Sequence, residues 1–195
     1  RLGTVLRDRF KGHPLVDVVH ADALRLPLPR VAKVVSNVPY SISSKLIIKL
    51  LREQNYSLAV LTLQREFALR LVAEPGSESY GRLSVIVQLF AEVELVGRVS
   101  RRAFYPEPKV DSLIVKLRPR GESHRLFEEV EATTALLFSK RRKKLSRALK
   151  EAGLDPRSLE GFVNVEKRVY ELTPAEVLRL AEVLSLRDTG IIRAC

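Results

Sequence analysis

The 195 residues carry 34 Lys and Arg against 23 Asp and Glu, a net charge of +11 that favours a polyanionic partner, either nucleic acid or an anionic membrane surface. Apolar residues make up 46% of the chain, enough to build the core of one medium domain, or of one domain with a small appendage. A lone Cys195 excludes an internal disulfide framework, the scattered His13, His20 and His124 lack metal-ligand spacing, and no apolar run reaches the ~18 residues of a membrane span.

Taken in chain order, residues 2–10 read as the end of a helix, Val16 to His20 as a buried strand and Lys33 to Ser36 as another. Ser43 is placed to cap a helix running through Gln54, with Leu46, Ile47, Leu50 and Leu51 on its inner face. Leu58 to Leu63 is a continuous apolar strand, Arg65 to Ala73 a short helix, Glu74 to Ser77 a loop and Tyr80 to Ala91 a further helix. Glu94 to Val99 and Ser112 to Leu117 read as strands separated by a Pro-rich loop. This alternation predicts an α/β domain with a mostly parallel sheet.

The pattern changes near Pro119–Gly121, and only helices are expected beyond it. One runs from Leu126 to Phe138 and a second ends near Gly153. Asp155-Pro156 starts a short one. Thr173-Pro174-Ala175-Glu176 is a capping box with proline at the first helical position, and its helix carries Val177, Leu178, Leu180, Ala181 and Leu184. The division expected is an α/β domain over residues 1–120 and a helical domain over 121–195.

Four segments carry candidate chemistry. Asn37-Val38-Pro39-Tyr40 follows a strand directly, where open α/β sheets bind ligands. The exocyclic amine of a base is a poor nucleophile, because its lone pair is delocalised into the ring. The Asn37 side-chain oxygen and a backbone carbonyl at Val38 or Pro39 can grip its two N–H groups, and Tyr40 can stack on the base. The competing reading is an ordinary Asn-X-Pro turn with a packed Tyr. Next, Asp22 and the Ala23 backbone N–H can hold the adenine of a cofactor, or Asp22 simply caps a turn. Phe104 in the Pro-stiffened stretch Phe104–Ser112 can supply the second face of a base sandwich, or plug the core. Finally, Lys140-Arg141-Arg142-Lys143-Lys144, with Arg147 beyond and no acid between, suits phosphate on a helix surface, or is a solvated charge run.

In this order the segments resemble the KsgA/Erm family of ribosomal RNA adenine methyltransferases. The archaeal and eukaryotic Dim-type branch fits best through Asn37-Val38-Pro39-Tyr40-Ser41-Ile42-Ser43-Ser44. Gln64-Arg65-Glu66-Phe67-Ala68, Tyr80-Gly81-Arg82-Leu83-Ser84-Val85 and Phe138-Ser139-Lys140-Arg141-Arg142-Lys143-Lys144-Leu145 add to the resemblance, which runs to about residue 186. It implies a partial Rossmann-like class I methyltransferase sheet with a small C-terminal helical domain. It also implies S-adenosylmethionine as cofactor and adjacent adenines of small-subunit ribosomal RNA as substrate, in the cytoplasm. The implied catalytic set is Asn37, Pro39, Tyr40 and Phe104. Asp22, Ala23 and Asn37 are implied at the cofactor, and Lys109, Lys140, Arg141, Arg142, Lys143, Lys144 and Arg147 at the RNA, with no metal.

Two other readings stand beside it: a non-catalytic RNA-binding or ribosome-assembly module, and a DNA adenine methyltransferase. The latter usually carries two consecutive prolines where Val38 and Pro39 stand. The chain opens on Arg1, holds no Met and shows no Gly-rich turn after a strand, which is read as a fragment or processed form lacking most of the cofactor site. The sheet is then expected to expose strand edges and to close by self-association or by retaining a cleaved peptide. Scarce thermolabile side chains suggest a thermophile.

Overall fold

The residue Tyr56–Gln64 stretch alternates buried and half-buried positions and forms the central strand β2. Its period of two places Ala59, Leu61 and Leu63 on one face, all fully buried. A computed structural model describes residues 2–121, 125–159 and 161–187; His124 and Cys195 lie outside the described residues. Strand β1 (Val31–Asn37) pairs parallel with β2, while β4 (Ser112–Pro119) pairs antiparallel with β2 and with β3 (Ala91–Val99), giving the order β1-β2-β4-β3. The sheet is therefore mixed, and only its β1–β2 pairing is parallel among the described strands. Hydrophobic periodicity marks a strand but carries no direction, and β3 to β4 is an antiparallel return rather than a crossover.

Helix α1 (Leu2–Arg9) buries no residue. The strand expected at Val16–His20 does not form. Those residues are irregular, Val19 is 70% exposed, and the Val16 N–H turns back to His13 O at 3.3 Å. A strand exists by pairing, and among the described residues nothing pairs with this one. For the same reason β1 is an edge, with Val35 75% exposed.

Helix α2 (Ser43–Glu53) buries Leu46, Ile47, Leu50 and Leu51 against the sheet, as its spacing requires. Its cap differs from expectation. Ile42 is the N-cap, and Ser43 is a buried first-turn residue whose hydroxyl donates to Pro39 O. Helices α3 (Arg65–Leu71) and α4 (Arg82–Phe90) follow β2. Helix α4 serves two cores. Ile86, Val87 and Phe90 join the sheet core, and Val85 joins a second core with Tyr80, Leu137, Leu149, Val169 and Leu180.

That second core is built by α5 (Phe127–Phe138), α6 (Leu145–Glu151), the 3-10 turn Pro156–Leu159 and α7 (Pro174–Arg187). Helices α5 and α7 also send Phe127, Val130 and Ala181 into the sheet core. The basic run does not lie on a helix: residues 139–143 form turns, and α6 starts only at Leu145.

The capping box of α7 forms as its sequence predicts. Thr173 N–H donates to Glu176 Oε2 at 2.8 Å, and Glu176 N–H donates to Thr173 Oγ1 at 3.2 Å. Lys167 Nζ donates to the other carboxylate oxygen at 2.7 Å. Burial pushes the Glu176 carboxyl up, but Lys167 and both Thr173 donors outweigh it and hold it below the ordinary value of 4.5. A depressed carboxyl contributes stability that is complete above the unfolded value and lost as pH falls through the folded one. Glu176→Gln should therefore cost about 1 kcal/mol near neutrality, and should flatten the fall of melting temperature on acidification from about pH 5 to about pH 3. Melting followed by circular dichroism checks both, and an unchanged acid limb would remove Glu176 from the account.

Candidate active site

Strands β1 and β2 finish at the sheet end where β4 begins, and β3 finishes there as well. Three connections gather at that end. Val38 N–H donates to Thr62 O at 3.2 Å, which holds the turn after β1 against β2. Arg65 N–H donates to Asp111 O at 2.9 Å, tying the start of α3 to the β3–β4 loop. The Tyr40 hydroxyl and Ser112 Oγ lie 3.0 Å apart, linking the β1 turn to the first residue of β4. Ser112 is fully buried and Tyr40 half-buried, so the ring is fixed at its tip and at its backbone.

The turn itself distinguishes the two candidate carbonyls. Pro39 O already accepts from the Ile42 N–H at 3.0 Å and the Ser43 hydroxyl at 3.3 Å. Val38 O accepts no hydrogen bond among the described residues, and neither does the exposed Asn37 side chain. Val38 itself is 2% exposed, so the turn is anchored by its buried side chain while its neighbours face outward. The acceptors of this turn left without a donor among the described residues are the Asn37 amide oxygen and the Val38 carbonyl. Phe104 follows a single 3-10 turn (Arg101–Ala103), is half-buried, and sits on the loop that Arg65 and Ser112 bring to this end.

Asp22 holds a turn, as the simpler of its two readings has it. Its Oδ1 accepts from Leu24 N–H at 2.9 Å, its carbonyl accepts from Arg25 and Leu26, and Oδ2 lies 3.5 Å from the Arg25 guanidinium. This does not consume the cofactor reading. Oδ2 remains on the surface, and the Ala23 N–H has no acceptor among the described residues. One acceptor and one adjacent donor fit the adenine end of S-adenosylmethionine. No glycine-rich turn follows a strand in the sequence to take its methionine end.

The basic run is largely occupied by the fold. Arg141 spans the loop before α4: its Nε donates to Tyr80 O at 3.0 Å, and one Nη donates to Ser77 O at 2.9 Å and Glu78 O at 2.7 Å. Its guanidinium also lies over Tyr170, 5.0 Å from the ring centroid. Lys140, Lys143 and Arg147 converge on Glu151, and Lys144 pairs with Glu166. Lys143 first, then Arg147, hold the Glu151 carboxyl below its usual range. Arg142 keeps an exposed side chain. Glu151 and Glu166 lie beyond the run in sequence, so the absence of an acid inside it concealed them.

The model of the ribosomal RNA adenine dimethylases matches residues 1–186. The chain belongs to this family. It is 42% identical over 187 residues to the probable ribosomal RNA small subunit methyltransferase A of Thermococcus gammatolerans, covering 92% of this chain and 66% of that one. The protein of that name in Methanothermobacter thermautotrophicus is 42% identical over 190 residues, covering 93% and 68%. Among solved structures, a dimethyladenosine transferase from Plasmodium falciparum superposes with a TM-score of 0.77 at 33% identity, over 90% of this chain and 74% of that one. The 23S rRNA methyltransferase ErmE gives 0.59 at 30%, over 95% and 78%. The chain thus spans about two thirds of the length of the curated relatives it matches. A class I methyltransferase fold and S-adenosylmethionine-dependent chemistry follow from membership in the ribosomal RNA adenine dimethylases.

The Arg141 geometry separates a latch from a phosphate ligand. Arg141→Lys keeps the charge but cannot reach three carbonyls at once. It should destabilise the fold by about 2–3 kcal/mol, nearly as much as Arg141→Ala. A lysine variant that melts with the wild type would return Arg141 to the RNA-facing set.

Proposed function

We propose that this chain acts in transferring methyl groups from S-adenosylmethionine to the exocyclic amines of adjacent adenines in small-subunit ribosomal RNA. The observation that carries this reading is the free pair of acceptors, Asn37 and the Val38 carbonyl, beside a tyrosine fixed by a buried serine. Two acceptors on one amine draw its N–H bonds out of the ring plane and localise the nitrogen lone pair. Tyr40 stacks on the base and sets its distance from the acceptors, and Phe104 closes the opposite face. Pro39 fixes the turn through its ring and through its doubly occupied carbonyl. Asp22 and the Ala23 N–H hold the cofactor's adenine. The cofactor supplies an electrophilic methyl group on a sulfonium, whose leaving group is a neutral thioether. No strong base is then needed before transfer, and the residues contribute chiefly position and exclusion of water.

The RNA stem is read as lying across Lys109, Arg142 and the exposed parts of Lys140, Lys144 and Arg147, whose ion pairs are on the surface and exchange readily with phosphate. A ribosomal RNA substrate supports a cytoplasmic location. Among the described residues no helix is long and apolar enough to cross a membrane. The open outer edge of β1, with its exposed Val35, supports pairing with a strand of a second copy.

Asn37→Ala should lower methyl transfer to a small-subunit RNA hairpin by about a hundredfold, the scale of one aligned polar group. RNA affinity should stay within about twofold, since the side chain addresses a single amine. Radiolabel transfer and filter binding on the same preparation read the two quantities. Equal losses in both would make Asn37 a structural residue of the turn.

A further inference from the structure

The loop between β3 and β4 holds more than Phe104. A surface groove of about 630 Å³ is lined by Arg65, Arg98, Arg101, Arg102 and Lys109, with Glu66 and Asp111 as the acids of its lining among the described residues. Asp111 organises it. The carboxylate accepts from the Arg101 N–H at 2.9 Å and from Arg98 Nε at 3.0 Å, and those two contacts, in that order, hold its carboxyl below the ordinary range. Asp111 therefore stays ionised and holds Arg98 in the groove's lining. Arg101 is steadied by Glu107 at 3.0 Å, and Arg65 only by a 3.4 Å contact with Glu66. Arg102 and Lys109 have no acidic partner among the described residues, and both are exposed. The groove thus contains oriented guanidinium groups and unneutralised charge, in contrast to the occupied run at 140–147.

The same loop carries Tyr105, whose side chain is fully exposed. A ring with no buried surface contributes nothing to folding, and it sits between Phe104 and Lys109 in a stretch stiffened by Pro106 and Pro108. An exposed aromatic on a loop that lines a cationic groove is a combination suited to single-stranded nucleic acid: phosphates take the charges and a base takes the ring face. A double helix offers only phosphates here, because its base faces are stacked away.

We propose that the groove holds a single-stranded RNA segment next to the target adenine, with phosphates on Arg65, Arg102 and Lys109 and an unstacked base on Tyr105. This rests on the RNA methyl-transfer reading above and adds to it the path of the strand. The groove and the Asn37 turn share one sheet end, joined through Arg65 N–H to Asp111 O and through Tyr40 to Ser112. A strand entering the groove therefore leads to the turn.

Binding needs no cofactor, so the test is made without one, by anisotropy of a labelled unstructured RNA across a salt series. Arg102→Gln with Lys109→Gln should flatten the slope of log affinity against log salt by about 1.4, since each phosphate on a single strand contributes about 0.7. Arg30→Gln with Arg157→Gln removes the same charge from exposed sites outside the groove and should leave the slope unchanged. Tyr105→Ala should weaken binding about tenfold with no change of slope, because stacking releases no counterions. The proposal is overturned if the groove pair changes the slope no more than the outside pair, or if Tyr105→Ala binds as the wild type does. Should all three behave as expected while Asn37→Ala transfers methyl groups as well as the wild type, the groove stands and the assignment of the Asn37 turn falls.

Discussion

Strand β4 enters the sheet at the end where β1 and β2 leave it, and the candidate site depends on that direction. Its first residue, Ser112, is fully buried yet polar, so its hydroxyl needs a partner, and it finds the Tyr40 hydroxyl 3.0 Å away. The residue before it, Asp111, gives its carbonyl to the start of α3 and its carboxylate to the β3–β4 loop. A parallel β4 would begin at the opposite end of the sheet and would take this loop, Phe104 and the arginine groove away from Asn37. The antiparallel register places Gln64 opposite Ser112, which brings the end of β2 and the start of β4 to one level.

Local pattern in the sequence was sufficient wherever the determining interaction is local. The i, i+3, i+4 spacing of Leu46, Ile47, Leu50 and Leu51 and the reciprocal bonds of Thr173 and Glu176 need no distant partner, and both appear as read. The strand at Val16–His20 failed because β-structure requires a neighbour, which apolar composition cannot supply. Three of the four described strands, β1, β2 and β3, run in one direction as expected; the reversal of β4 was not legible, because strands of either sense have the same two-residue period. Ser43 was misread as a cap because the chain is already turning at Pro39, and the carbonyl there captures the hydroxyl first. For the site, the sequence brought Asn37, Tyr40 and Phe104 into view, but the choice between the Val38 and Pro39 carbonyls depends on hydrogen bonds that close only in the folded turn.

Charge shows the same division between what composition counts and what geometry uses. The net +11 is a property of the whole chain, and the run at 140–144 is its densest expression. In the fold that run faces Glu151, Glu166 and the carbonyls of Ser77, Glu78 and Tyr80. Arginine is suited to the last role, since its planar fork satisfies several carbonyls that a lysine ammonium would reach singly. The cations of the β3–β4 loop are fewer and spread over twelve positions from Arg98 to Lys109, so no run announces them. Asp111 fixes Arg98 and the Arg101 backbone and Glu107 steadies the Arg101 guanidinium, while Arg102 and Lys109 keep unneutralised charge.

The two sides of the site are built to different standards. On the base side, Tyr40 is pinned at its hydroxyl, Val38 is buried, and the turn is bonded to β2. On the cofactor side, Asp22 stands on a surface turn. That turn is secured behind it, by Leu24 and Leu28 packing on the core, by Leu28 N–H donating to Glu53 Oε2 at 2.8 Å, and by Asn55 Nδ2 donating to Leu28 O at 3.0 Å. Burial pushes the Glu53 carboxyl up, but the Lys49 hydrogen bond and the Leu28 N–H bring it below its ordinary range, so it stays charged and keeps that grip. The turn proposed to hold the cofactor's adenine is thus secured from one side only, while the turn proposed to hold the base is fixed from several. In the proposed methyl transfer the nucleophile is weak and the leaving group good, so precision is needed most where the amine is held, and the turn proposed for that role is the more firmly fixed of the two.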